Sequence, residues 1–332
     1  MKVKKKLFAC LLAFAMILSM GTTAFAAEEE TPQYENMESV TVTKVYRAAN
    51  DDTTSPAETF TLEQVGNGIV TDGEATSAPH LGNITGAEFA AGAATTNGAK
   101  ANIKITLPEY ERVGVYEYTL QEVAGTTAGV AYYGKTIKLV VTVIEQNGKI
   151  CVAAVHTEDE GEQKSDEFEN IYSAGTLSIS KKVTGNLGDK EKYFEFQLTL
   201  KGEKGKNYAE SYAVGGTSYK DNPTSVEVKP DQETKYTFWL KDGESVNISN
   251  LPYGVTYTVT ETDYKSDGYT TTKAGDTGTI GAASQTAAFI NDKSGSVDTG
   301  VYLDNLPYIL VFAGVVAVVA VMVVFKKRRY DD

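Results

Sequence analysis

Residues 164–182 read KSDEFENIYSAGTLSISKK. The stretch closes one β-rich unit and opens the next. FENIY alternates apolar and polar residues and ends a unit. LSISKK alternates again and begins another. Asn170 falls on the same strand face as Phe168. Lys181 shares a face with Leu177, Ile179 and Val183, so its neighbour Lys182 points outward. Lys164 stands in the acidic loop EDEGEQKSDE just before the join.

Working outward, both flanks carry the same sequence of parts. Upstream are the alternating strand SVTVTKVY, a Gly/Ala/Thr/Asn-rich run over 50–101, and then NIKITL, VGVYEYTLQEV, TIKLVVTVIE and KICVAAVHT. The EQNGKI turn predicts a hairpin between the last two. Downstream come KYFEFQLTLKG, a Gly/Tyr-rich excursion, KYTFWLKDGESVNISNLP, VTYTVTETDY and QTAAFIND. Val, Thr, Tyr and Ile dominate, and no amphipathic helical run occurs before residue 306. The expected fold is all-β: two tandem immunoglobulin-like sandwiches over 39–172 and 173–293. Each is long enough for a core of its own.

Three pieces recur in order. VTVTK with Lys44 is matched by LSISK with Lys181. YTLQE with Glu122 is matched by YTVTE with Glu261, and FEN with Asn170 by FIN with Asn291. In each unit one lysine, one glutamate and one asparagine face inward, where strand cores rarely accept them. Buried lysine and glutamate cost several kcal/mol each unless paired. A reaction removes that cost. Desolvation favours the neutral amine and the protonated carboxyl. A neutral lysine is a nucleophile, and the carboxyl can polarise the asparagine amide and carry protons to the departing ammonia. The product is a Lys–Asn isopeptide bond, formed once per unit. Lys44 and Asn170 lie 126 positions apart. Closing such a loop stabilises a fold by roughly 4–5 kcal/mol through the unfolded state.

The ends of the chain set its address. Lys2, Lys4, Lys5 and Lys6, the run LFACLLAFAMIL, and Ala24 and Ala26 make a signal peptide over 1–26. Residues 27–38 read as a flexible lead. Leu306–Phe325 is an apolar run of membrane-spanning length, followed by Lys326, Lys327, Arg328 and Arg329. The chain has 31 Lys+Arg and 44 Asp+Glu. Taking away the four leader lysines, the four basic tail residues, Asp331 and Asp332 leaves 23 against 42, a net of −19 for the exported part. That excludes the basic footprint of a nucleic-acid binder. Cys10 leaves with the leader, and Cys151 alone makes no internal disulfide. Nothing marks a metal site, a cofactor or a catalytic triad, and only His80 and His156 are present.

The sequence resembles the backbone (major) pilins of Gram-positive surface pili, of the streptococcal T-antigen type with CnaB-like isopeptide domains. The resemblance is densest at LSISKKVTGNLGD, FWLKDGESVNISNLPYGVTYTVTETDYKSDGY and GVYEYTLQE. It implies a Lys44–Asn170 bond with Glu122 as catalyst, and a Lys181–Asn291 bond with Glu261. It also implies a C-terminal sorting signal over 294–332. A sortase would cut between Thr299 and Gly300 of SVDTG and pass the threonyl group to a lysine of the next subunit. The LPXTG leucine and proline are here Ser296 and Val297. The acceptor in such pilins lies shortly before the last strand of the first domain, where Lys164 stands. Lys135, Lys138 and Lys149 are the alternatives. The implied partners are sortase, further copies of the chain, accessory pilins and peptidoglycan, with no nucleic acid. The rival expectation is a wall-anchored adhesin that does not polymerise.

Overall fold

A computed structural model describes residues 34–217, 219 and 221–296. The signal peptide, Thr299, Gly300, the apolar run 306–325 and the basic tail lie outside the described residues.

The described chain is built from strands, with one short 3-10 turn at Lys265–Asp267. Upstream of residue 173, two sheets face each other. One is organised on Ser39–Ala48, which runs between Ala99–Thr106 and Glu167–Tyr172. The other runs from Lys149–Glu158 through Thr136–Gln146 to Gly114–Glu122. Asn147 and Gly148 join the first two of these strands with φ of 55° and 73°. Both central residues are left-handed, as the type I′ turn expected from EQNGKI requires. Downstream, Ala174–Thr184 lies between Ser245–Pro252 and Ser284–Asp292. The facing sheet pairs Phe194–Lys201 with Glu233–Leu240 and Thr256–Glu261. The run KYTFWLKDGESVNISNLP thus breaks at 241–244 and supplies one strand to each sheet.

Each pair of sheets encloses its own apolar core. Val42, Tyr46, Ile103, Tyr116, Leu120 and Val141 are central to the first. Leu177, Phe196, Leu198, Phe238, Ile248 and Val259 are central to the second. In both, the opening and closing strands are neighbours and run parallel, while their other partners are antiparallel. A parallel neighbour so far along the chain needs a long return path, and here that path supplies the facing sheet and the remaining strands of the same one.

The join is one residue long. Ser173 donates its N–H to Gly129 O (2.8 Å) and accepts from Tyr253 N–H (3.0 Å). Thr54 and Asn250 exchange two hydrogen bonds, at 3.0 and 2.9 Å. Asn207 does the same with Ala128 N–H and Thr126 O, at 2.9 and 2.8 Å. Gly129 has φ of 78°, and a Cβ there would stand 2.6 Å from Ser173 O, so the junction requires glycine at this position.

Candidate functional site

Alternation on the opening strand turns Lys44 inward, and it is 1% exposed. It sits opposite Phe168 on the parallel closing strand, and Asn170 lies two residues further on, on the same face. Lys181 sits opposite Phe289 in the same way, with Asn291 two residues on. The offset is identical in the two units. A lysine side chain is long enough to cover that diagonal. The acid comes from the facing sheet, at the last residue of Gly114–Glu122 and of Thr256–Glu261.

In the first unit the three side chains meet. Lys44 Nζ donates to Glu122 Oε2 and, at 2.8 Å, to Asn170 Oδ1. Asn170 Nδ2 donates to Glu122 Oε1 at 2.6 Å. Tyr133 N–H donates to that same oxygen at 3.1 Å. The rings of Phe60 and Tyr133 lie 5.1 and 5.7 Å from the amine. In the second unit Lys181 Nζ and Asn291 Nδ2 both donate to Glu261 Oε1, at 2.6 and 2.9 Å. Phe194 and Phe196 close over the amine at 4.2 and 5.8 Å. Both asparagines are fully buried.

Burial pushes the Lys44 amine below its ordinary range, against the opposing pull of Glu122. Lys181 is lowered for the same reason, against Glu261. Burial also raises the Glu261 carboxyl, with Lys181 and Asn291 working the other way. Each change moves its group toward the neutral form. A neutral amine against an amide, with a carboxyl touching both, is a reactant geometry for amide exchange.

All six residues singled out in the sequence therefore meet, three in each unit. Lys164 is exposed in the turn that precedes the closing strand, bridged to Glu158. Of the alternatives, Lys138 is held by Glu158 at 2.8 Å, while Lys135 and Lys149 are exposed. Cys151 is buried and unpaired. The sequence reading did not find Tyr133. Its contribution is a backbone N–H delivered by a loop, and no residue type marks that. Among the described residues, no group of three His, Cys, Asp or Glu side chains could hold a metal.

Two tandem immunoglobulin-like sandwiches, each with a lysine, an asparagine and a glutamate meeting between its facing sheets, define the architectural class of this chain. Residues 40–173 match the family described as the Spy0128-like isopeptide containing domain, and residues 175–293 match a domain of unknown function, DUF7601. A pilin of Streptococcus pyogenes serotype M1 is 32% identical over 252 residues, covering 70% of this chain and 73% of its own. The crystal structure of the major pilin from Streptococcus pyogenes aligns with a TM-score of 0.52 at 29% identity, over 79% of this chain and all of that one. The pilus tip adhesin Cpa of Streptococcus pyogenes is 43% identical over 86 residues, only 11% of its length. The chain belongs to the Gram-positive major pilin family. It is a structural subunit of a cell-surface pilus, polymerised with other pilin subunits.

Proposed function

We propose that each triad makes one isopeptide bond, Lys44 to Asn170 through Glu122 and Lys181 to Asn291 through Glu261. The covalently closed units would span 39–172 and 173–293. One observation carries this reading: Lys44 Nζ touches both the Glu122 carboxyl and the Asn170 amide whose nitrogen it would replace. In the first unit the amine's proton passes to Glu122 Oε2, and the neutral amine attacks Asn170 Cγ. The bond from Cγ to Nδ2 breaks as the carboxyl gives that proton to Nδ2, and the carboxylate then takes the second proton from the new amide nitrogen and ends protonated. One amide replaces another, and one ammonia leaves. The reaction turns over once and consumes the site.

The intact mass of the mature chain should fall below its sequence mass by about 17 Da per bond, roughly 34 Da in all, one ammonia each. Glu122→Ala should restore about 17 Da by losing only the first bond, and Glu261→Ala only the second. A wild-type mass equal to the sequence mass would end the proposal.

The rate should also be nearly flat with pH. An ordinary exposed lysine gains about tenfold in free amine per pH unit below its pKa. Here the proton given up by the amine stays on the adjacent carboxyl, so the charge of the pair does not change as it becomes reactive. Following ammonia loss after rapid synthesis, between about pH 6 and 9, checks this; a tenfold rise per unit would show the amine exchanging its proton with solvent instead.

The pilus itself we propose to be assembled by a sortase. It would cut between Thr299 and Gly300 and transfer Thr299 to Lys164 of the next subunit, with the last subunit passed to peptidoglycan and accessory pilins joined in the same way. The apolar run 306–325 would hold the subunit in the membrane until that cut. A donor at one end and an acceptor in the other unit give an open linear polymer rather than a ring.

A further inference from the structure

The two triads differ in how their carboxyl is held. Glu122 Oε1 accepts from Asn170 Nδ2 and from Tyr133 N–H, leaving Oε2 alone against Lys44 Nζ. Glu261 Oε1 accepts from both Lys181 and Asn291, while Glu261 Oε2 and Asn291 Oδ1 are buried with no hydrogen-bond partner. The first site is fully connected; the second leaves two acceptors unsatisfied.

We infer that Tyr133 is a positioning residue for the first cross-link: its backbone N–H fixes the rotation of the Glu122 carboxyl and assigns one oxygen to each reacting group. An oxygen that already accepts two hydrogen bonds is a poor place for a proton. Oε2, the oxygen that faces the attacking amine, is thereby left to take the amine's proton. Oε1 stays beside Nδ2, the atom that must leave. The carboxyl thus stands between the attacking and the departing nitrogen, one oxygen to each. The Tyr133 ring adds a lid. It lies 5.7 Å from the amine and edge-on to Phe168 at 5.3 Å, which keeps water from the pair. The second site has no backbone donor on its carboxyl; there Lys181, Asn291 and the Thr271 side chain, which lies opposite Asn291, act on Glu261. The inference rests on the isopeptide reading above.

The test uses the full chain made by cell-free synthesis. Samples are quenched over time, and each cross-linked peptide is followed by the loss of about 17 Da, one ammonia. The second bond is an internal clock in the same molecule. Replacing Tyr133 by its α-hydroxy acid analogue removes the N–H and keeps the ring. That change should slow the first bond roughly tenfold relative to the second. Tyr133→Phe, which keeps both the N–H and a ring, should retain the wild-type ratio. The ester is also placed in a Lys44→Ala chain, where no first bond can form. There it should melt within a few degrees of Lys44→Ala alone, which separates positioning from folding. An unchanged ratio of rates in the ester chain overturns the inference, and so does collapse of its melting in the Lys44→Ala background. Absence of both bonds from the wild-type chain would instead remove the isopeptide reading beneath it.

Discussion

Lys44→Ala should fold and then melt far earlier than the wild-type chain, in its first unit alone. The alternating apolar face of the opening strand survives the change, with Val42, Tyr46 and Ala48 all buried. The sheet can therefore still assemble. What disappears is the closure of a loop of 126 residues. Chain entropy assigns that closure roughly 4–5 kcal/mol. The substitution also removes the Lys44 side chain that packs against Glu122 and Phe60, which adds to the loss. For a unit of this size, about 4 kcal/mol corresponds to a fall of roughly 10–25 °C in Tm. Scanning calorimetry should split into two transitions, with the second near its original temperature. A first unit melting within about two degrees of wild type would mean that the bond, if formed, contributes nothing to stability.

Lys164→Ala should abolish the covalent ladder. Lys164 projects from a tight turn in which Asp159 Oδ1 accepts from Gly161 N–H and Gln163 N–H, each at 2.9 Å. The turn presents an exposed amine beside the closing strand, on a scaffold rigid enough for an enzyme to approach. Lys138 is poorly suited because Glu158 already holds it. The expected result is monomer and no high-mass series in wall extracts. In wild-type polymer, tandem mass spectrometry should find a peptide ending at Thr299 branched onto Lys164. A branch at Lys135 or Lys149 would move the acceptor and leave the polymer intact. Retention of the full ladder by Lys164→Ala would remove Lys164 from the assembly reaction.

Much of this was legible before any coordinates, for identifiable reasons. A strand repeats every two residues, so the side to which Lys44, Glu122 and Asn170 point follows once the apolar set is known. The recurrence of the three types in Lys181, Glu261 and Asn291 turned three oddities into a site. Pairing was not legible. The shared offset, with each lysine opposite a phenylalanine two residues before the asparagine, comes from parallel register, and alternation alone does not encode which strands adjoin. The split of KYTFWLKDGESVNISNLP between two sheets was hidden for the same reason. Backbone donors such as Tyr133 N–H leave no mark in composition. The contacts of Thr54 with Asn250 and of Thr126 with Asn207 join loops that follow no period.

The one-residue join at Ser173 has a consequence for survival outside the cell. Proteases cut chain that they can draw out in extended form, and in tandem proteins the segment between units is the usual place to find it. Here no such segment exists. Both backbone groups of Ser173 are already engaged, one with Gly129 and one with Tyr253. Strands begin or end at its immediate neighbours, Tyr172 and Ala174. To offer a cleavable stretch the molecule would have to unzip the end of a closing strand, the start of an opening strand, or both. Resistance to digestion at the waist is thus set by the stability of the sheets themselves, and the join between the two units is not a soft point of the fibre.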